Sequence, residues 1–300
     1  MATIERYQTQ LADPDSQFIA VNGFRLHYKR QGSGATLLLL LHGSFLSLKS
    51  WSQVIAPLAQ HATVVAIDRP TCGLTSRPLP PKGAPEPSPY SAEAQGDLIA
   101  ALIPALGFER AILVGSSTGG TIALLTALRH RERVQSLILV DTVVYSGYAT
   151  SQVPAPVLAL MRGLKPLFTR LMGFLINRLY EKAIRKFWHR QERLSDATLA
   201  EFKRDFMRGQ WDKVFLELFL ATHRLHLDTQ LDRITQPTLV VTGEHDRGVK
   251  PSESAQLAQA ITGAELQVIA DAGHLPQEER PEAFLAAIEP FLMRQLAASA

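Results

Sequence analysis

The chain has 300 residues, 46% hydrophobic and 20% charged, values that exclude whole-chain disorder and suit a packed core. With 31 basic and 28 acidic residues the net charge is +3, too small to mark a general nucleic-acid binder. A single cysteine, Cys72, excludes an internal disulfide framework and a cysteine-based zinc site, and it fits a cytoplasmic location.

The leader Met1–Gln17 is polar and lacks the apolar stretch of a secretory signal. Phe18–Val21 and Phe24–Lys29 then flank Asn22-Gly23, a pair that tolerates positive φ and predicts a β-hairpin. Leu37–Leu41 has no polar alternation, as a strand buried on both faces of a parallel sheet would have none. It is also the longest aliphatic run, far short of the ~20 residues that span a bilayer. Similar short runs recur at Thr63–Ile67, Ala111–Val114, Leu137–Val140, Thr238–Val241 and Leu266–Ile269. Helical patterns separate them, at Ser50–Gln60, Ala92–Leu106, Ser117–His130, Ser252–Ala260 and Pro281–Leu296. Strands alternating with helices predict an α/β fold with a mostly parallel sheet and helices on both faces.

Two stretches break the rhythm. Arg77–Tyr90 carries prolines at 78, 80, 81, 85, 87 and 89, and so many missing N–H donors suit only a surface loop. Tyr145–Phe219 has amphipathic helical patterns and no strand-like run, and residues 151–220 hold 13 basic and 7 acidic residues. That segment therefore carries +6, and the remainder of the chain −3.

The chemistry sits at strand ends. After Ala111–Val114 comes Gly115-Ser116-Ser117-Thr118-Gly119-Gly120, and a Gly-x-Ser-x-Gly turn between strand and helix lifts the central serine, Ser117, out of the sheet. The string alone also fits an ordinary helix start with a serine cap. A neutral hydroxyl needs a base and the base an orienting acid, in the chain order serine, acid, histidine for this turn. Asp246 lies beyond the strand Thr238–Val241 and His274 beyond Leu266–Ile269, so three loops on one sheet edge can gather Ser117, Asp246 and His274. Asp141, ending Leu137–Val140, is an alternative acid, and His245 a competing base hampered by its adjacency to Asp246. Glu244 and Asp271 read as turn caps. His42-Gly43-Ser44 closes the first buried strand, where the N–H groups of Ser44 and Thr118 can meet a developing oxyanion.

Taken together, His42-Gly43 after a leucine run, Trp51, Asp68-Arg69-Pro70 through Pro78, Gly115–Gly120, Pro237–Asp246 and Gly273-His274 with Glu279-Arg280-Pro281 resemble the α/β-hydrolase superfamily. The resemblance covers residues 18–142 and 228–296 and implies the branch with a helical cap inserted after strand six. It implies a core of residues 1–144 and 221–300, a cap of 145–220, catalytic Ser117, Asp246 and His274, and an oxyanion hole at Ser44 and Thr118. No metal or organic cofactor is required. Haloalkane dehalogenases and epoxide hydrolases place an aspartate at the turn, so Ser117 disfavours both. Carbon–carbon bond hydrolases of meta-cleavage products usually have an aromatic residue after the histidine, where this chain has Leu275.

The expected activity is a serine esterase acting on a small-molecule ester with an apolar acyl group. Alternatives are a carbon–carbon bond hydrolase or cofactor-free perhydrolase on the same triad, and a ligand receptor with the same fold. In the cap, Leu158, Met161, Leu164, Phe168, Leu171 and Leu175 recur at helical spacing among basic residues, which predicts an apolar face on the core and a basic face in water. A basic rim touching an anionic membrane surface is the second reading of that pattern.

Overall fold

A computed structural model describes residues 8, 10–81, 87–145 and 153–298. Most of the leader, the centre of the proline-rich loop and the first residues of the basic insert therefore lie outside the described residues.

An eight-stranded sheet runs in the order β1-β2-β4-β3-β5-β6-β7-β8. The strands are β1 (Gln17–Val21), β2 (Phe24–Gln31), β3 (Leu37–Leu41), β4 (Thr63–Ile67), β5 (Ala111–Ser116), β6 (Val134–Val140), β7 (Thr238–Gly243) and β8 (Glu265–Ile269). The opening hairpin forms at Asn22-Gly23, with φ of 47° and 81°, the left-handed pair that a two-residue turn requires. β2 pairs antiparallel with β4, and every pairing from β4 to β8 is parallel.

All five leucines of β3 are buried, and the period of two sends them to opposite cores. Leu37, Leu39 and Leu41 pack with Leu98 and Leu102 of α2 (Ala92–Ala105) and Ile122 of α3 (Thr118–Arg129). Leu38 and Leu40 pack with Val54 of α1 (Ser52–Leu58) and with Phe284 and Ile288 in the C-terminal helix Pro281–Ala297. Each such leucine is worth about 1.5–3 kcal/mol relative to an exposed one. β8 departs from the expectation of two buried faces: it is the sheet edge, and Leu266 and Val268 stand in solvent.

Between β6 and β7 the chain forms α4 (Ala155–Gly163), α5 (Lys165–Arg185), α6 (Asp196–Phe206) and α7 (Trp211–Ala221). Ser195 starts α6 by accepting the Thr198 N–H at 3.0 Å, with Asp196 in the positive first turn. Tyr180, Ile184, Trp188, Phe202 and Phe206 from these helices bury a cluster together with Leu46, Cys72 and Leu275 from the strand-end loops. Arg77 fastens the arrangement with guanidinium hydrogen bonds to the carbonyls of Asp205 and Phe206. The single apolar face expected of α5 is not what forms. Tyr180 and Ile184 face inward, while Leu171, Leu175 and Leu179 point to solvent. The chain closes with α8 (Pro251–Ala260), the short α9 (Pro276–Glu279) and α10 (Pro281–Ala297).

Candidate active site

The parallel register sets Ser116 of β5 beside Val140 of β6, Val140 beside Val241 of β7, and Gly243 beside Ile269 of β8. Residues that follow these positions emerge along one edge, and Ser117, Asp141, Asp246 and His274 all do so.

Ser117 links β5 to α3 with φ 54° and ψ −120°, a conformation costing an L-residue about 1–3 kcal/mol. Its N–H bonds the Val140 carbonyl at 2.8 Å, which holds the turn against β6. The flanking glycines leave room for so sharp a reversal. A Cβ on Gly115 would come within 2.6 Å of the Gly119 backbone, and one on Gly119 within 2.1 Å of the Leu41 oxygen. Thr118 is the first residue of α3, so its N–H has no acceptor within the helix.

The loop after β3 lies against this turn. A Cβ on Gly43 would sit 3.1 Å from Ser117 Cβ, and the hydroxyls of Ser44 and Thr118 are hydrogen-bonded at 3.0 Å. His42 shapes the loop as a neutral imidazole. Its Nε2 accepts the Arg69 N–H at 3.0 Å, which assigns the proton to Nδ1, 2.7 Å from the Gly43 carbonyl. Complete burial, reinforced by the Arg69 charge, pushes its pKa down to about 4. The Arg69 guanidinium joins the pieces by donating to His42 O at 2.7 Å, Thr118 Oγ1 at 3.0 Å and Gln95 Oε1 at 3.0 Å.

Asp246 and His274 meet directly, with Oδ2 2.8 Å from Nδ1 and both side chains buried. The other oxygen of Asp246 accepts the N–H groups of Gly248 at 2.6 Å and Val249 at 3.1 Å. Gly248 is needed for space, since a Cβ there would fall 2.8 Å from His274 Nδ1. His274 is held from the opposite side by Phe187, whose carbonyl accepts the His274 N–H at 2.7 Å and whose ring centroid lies 4.9 Å from the imidazole. Glu279 accepts N–H groups from Gly273, His189 and Arg190, tying the histidine loop to the segment after α5. Among the described residues no hydrogen bond joins Ser117 Oγ to the imidazole, a contact that in substrate-free enzymes commonly tightens only on binding.

Asp141 completes a buried cluster in which its carboxylate, that of Asp246 and the His274 ring lie within 4.8 Å of one another. Its Oδ1 accepts Thr242 Oγ1 at 2.8 Å and the Gly243 N–H at 3.2 Å. As a carboxylate it would leave Oδ2 without a donor. Burial, and then the charge of Asp246, hold its pKa well above the carboxylate range, and the neutral acid hydrogen-bonds Asp246. The three groups have metal-ligand chemistry, but their donor atoms are already engaged with one another.

The remaining sequence candidates separate cleanly. His245 is exposed and stacks on His189 with centroids 3.8 Å apart, away from Asp246's partner. Glu244 accepts the Asp271 N–H, and Asp271 binds Arg190 and Arg193 rather than merely capping a turn. Those two arginines hold its carboxyl down at about 2. Sequence reasoning missed the roles of Arg69, Phe187 and Glu279. Arg69 and Glu279 stand inside the recognised motifs, whereas nothing local marks Phe187.

Residues 36–281 match the family described as alpha/beta hydrolase fold. The 2-hydroxymuconate semialdehyde hydrolase of Pseudomonas putida is 30% identical over 285 residues, covering 91% of this chain and 92% of that protein. Among solved structures, the enol-lactonase of Burkholderia xenovorans LB400 superposes with a TM-score of 0.74 at 26% identity, covering 92% of this chain and all of that one. A bacterial membrane phospholipase A superposes with a TM-score of 0.73 at 26% identity, covering 98% and 90%.

Proposed function

The chain belongs to the α/β-hydrolase family and is an enzyme of that class, and on this premise we propose that it is a serine hydrolase cleaving carboxylic esters of small molecules through Ser117, His274 and Asp246. The observation that carries the reading is the buried Asp246–His274 hydrogen bond at the same sheet edge as the strained Ser117 turn. Relatives named as a lactonase and a phospholipase support an ester bond as the target.

In this reading Asp246 keeps the proton of His274 on Nδ1, which leaves Nε2 free to take the proton of Ser117 as its Oγ attacks the ester carbonyl. The oxyanion is met by the N–H groups of Ser44 and Thr118, each worth roughly 2.7–4 kcal/mol in the transition state. His274 returns the proton to the leaving alcohol, then activates water to release the acid from the acyl-enzyme. The helices of residues 145–220 act as a cap that excludes water, and the acyl site lies where apolar side chains of the cap segment such as Phe187 meet Phe45, Leu46 and Leu275 of the strand-end loops. The apolar lining suits an uncharged acyl chain. A lone buried thiol, Cys72, suits the cytoplasm as its place of work, and among the described residues no helix is long and apolar enough to cross a membrane.

The test is hydrolysis of p-nitrophenyl acyl esters of graded length. Ser117→Ala should abolish it, and wild-type rates in that variant would refute the assignment. A second reading, carbon–carbon bond hydrolysis on the same triad, is favoured by the similarity to the semialdehyde hydrolase. It is weakened by Leu275, which is fully buried in the cap cluster beside the histidine. Turnover of a vinylogous diketone with negligible esterase activity would establish it instead.

A further inference from the structure

Along α5, Leu167, Leu171, Leu175 and Leu179 repeat every fourth residue and form one row, each between 43% and 59% exposed. The adjacent row, also of period four, is Arg170, Phe174, Arg178 and Lys182, continued by Lys186 just past the helix, and all five are exposed. Phe174 is the most exposed large apolar side chain among the described residues, at 62%. Among the described residues these four cations have no acidic partner, and the one acid of α5, Glu181, is taken by Lys203 at 2.8 Å. The opposite face is anchored: Tyr180 is buried and donates its hydroxyl to the Phe45 carbonyl at 2.6 Å.

A leucine row of this length in water is unfavourable and marks a surface that meets something. Packing on α5 of a second copy would bury the leucines but bring two cation rows together without an acid between them. An anionic bilayer answers both rows, with acyl chains for the leucines and phosphates for the cations. We propose that α5 docks the protein on an anionic lipid surface, Leu167, Leu171, Phe174, Leu175 and Leu179 entering the acyl boundary and Arg170, Arg178, Lys182 and Lys186 engaging lipid phosphates. The bilayer then lies one helix, roughly 10 Å, from the loop that carries Phe45 and its neighbour Ser44. The proposal deepens the esterase reading by naming the phase from which an acyl ester is drawn, and it is tested on binding alone so that the two can fail separately.

The full chain carrying Ser117→Ala is sedimented with vesicles of phosphatidylcholine and with vesicles that also contain phosphatidylglycerol. Binding to the mixed vesicles should exceed binding to neutral ones by roughly ten-fold or more and weaken with added salt. Arg178→Glu with Lys182→Glu should remove that preference, since each cation contributes roughly five-fold. Leu171→Asp with Leu175→Asp should abolish binding while leaving hydrolysis of a water-soluble ester unchanged in the Ser117 protein. No binding to the mixed vesicles, or binding that survives the two aspartates, overturns the proposal. A solution dimer that the same aspartates split, with no vesicle binding, overturns it in favour of a second copy. Failure of the esterase reading would appear elsewhere, as hydrolysis retained by Ser117→Ala.

Discussion

Asp141 and Asp246 share one buried cluster with His274, and their surroundings differ: Asp246 accepts two backbone N–H groups and meets His274 Nδ1 at 2.8 Å, whereas burial and the neighbouring Asp246 push the Asp141 carboxyl well above the usual carboxylate range. With its carboxyl raised, Asp141 offers a donor to Asp246, and in the proposed mechanism that would help to orient the carboxylate bonded to His274.

Asp141→Asn keeps an acceptor for Thr242 and Gly243 and an N–H for Asp246, so esterase activity should stay within about three-fold of the parent. Asp141→Ala removes the donor and opens a cavity, and kcat should fall by about ten-fold, against about 10⁴-fold for Asp246→Asn, which would trap His274 in the wrong tautomer. Parallel kcat measurements on the three variants decide the matter. If Asp246→Asn were mild and Asp141→Asn severe, Asp141 would be the working acid.

Glu278 governs a separate pH response. Burial pushes its carboxyl up to about 8 from 4.5, and its Oε1 has no partner. A raised carboxyl favours the folded state below the unfolded pKa of 4.5, and that contribution is lost as pH climbs through about 8. Glu278→Gln should therefore raise the melting temperature by roughly 5 °C at pH 8.5 and leave it unchanged at pH 4.5, which thermal melts at the two pH values will show. Equal shifts at both would mean that shape, not charge, is at stake.

What could be read from the sequence was local. Leu37–Leu41 announces a doubly buried strand because no polar residue interrupts it, and Gly115–Gly119 announces a sharp turn because only small residues fit there. Asp246 and His274 were reachable because parallel strands deliver their following loops to one edge. The carbonyl of Phe187 that holds His274, and the proton on Asp141, depend on groups far apart in the chain, and neither leaves a local pattern. The leucines of α5 misled for a different reason. A helix with apolar residues on two faces does not say which face finds the core, so Tyr180 and Ile184 turned inward and the leucine row did not.

Arg69 offers a test of how the loop proposed to meet the oxyanion is held. Its planar fork reaches His42 O, Thr118 Oγ1 and Gln95 Oε1 at once, a set that a lysine ammonium cannot span. Arg69→Lys should reduce kcat by roughly 10- to 100-fold with a smaller effect on KM, because the donors would be misaimed in the transition state more than in the bound substrate. A fluorophosphonate should still label Ser117, only more slowly. Loss of labelling together with a collapsed melt would instead assign Arg69 a purely structural role.

Two glycines separate space from flexibility. Gly119 has a normal negative φ yet no room, with the Leu41 carbonyl oxygen 2.1 Å from the position of a Cβ. Because that obstacle is the backbone of a central strand rather than the end of a side chain, Gly119→Ala must push α3 off β3. It should lower stability by about 3 kcal/mol or more and abolish activity. Gly163 closes α4 with nothing within 4 Å of its own Cβ position, and alanine there should stabilise by about 0.5–1 kcal/mol. Denaturant unfolding of the pair, alongside ester hydrolysis, reads both signs. An active, stable Gly119→Ala protein would mean that the turn can move away from β3, and the strained placement of Ser117 would then owe nothing to that contact.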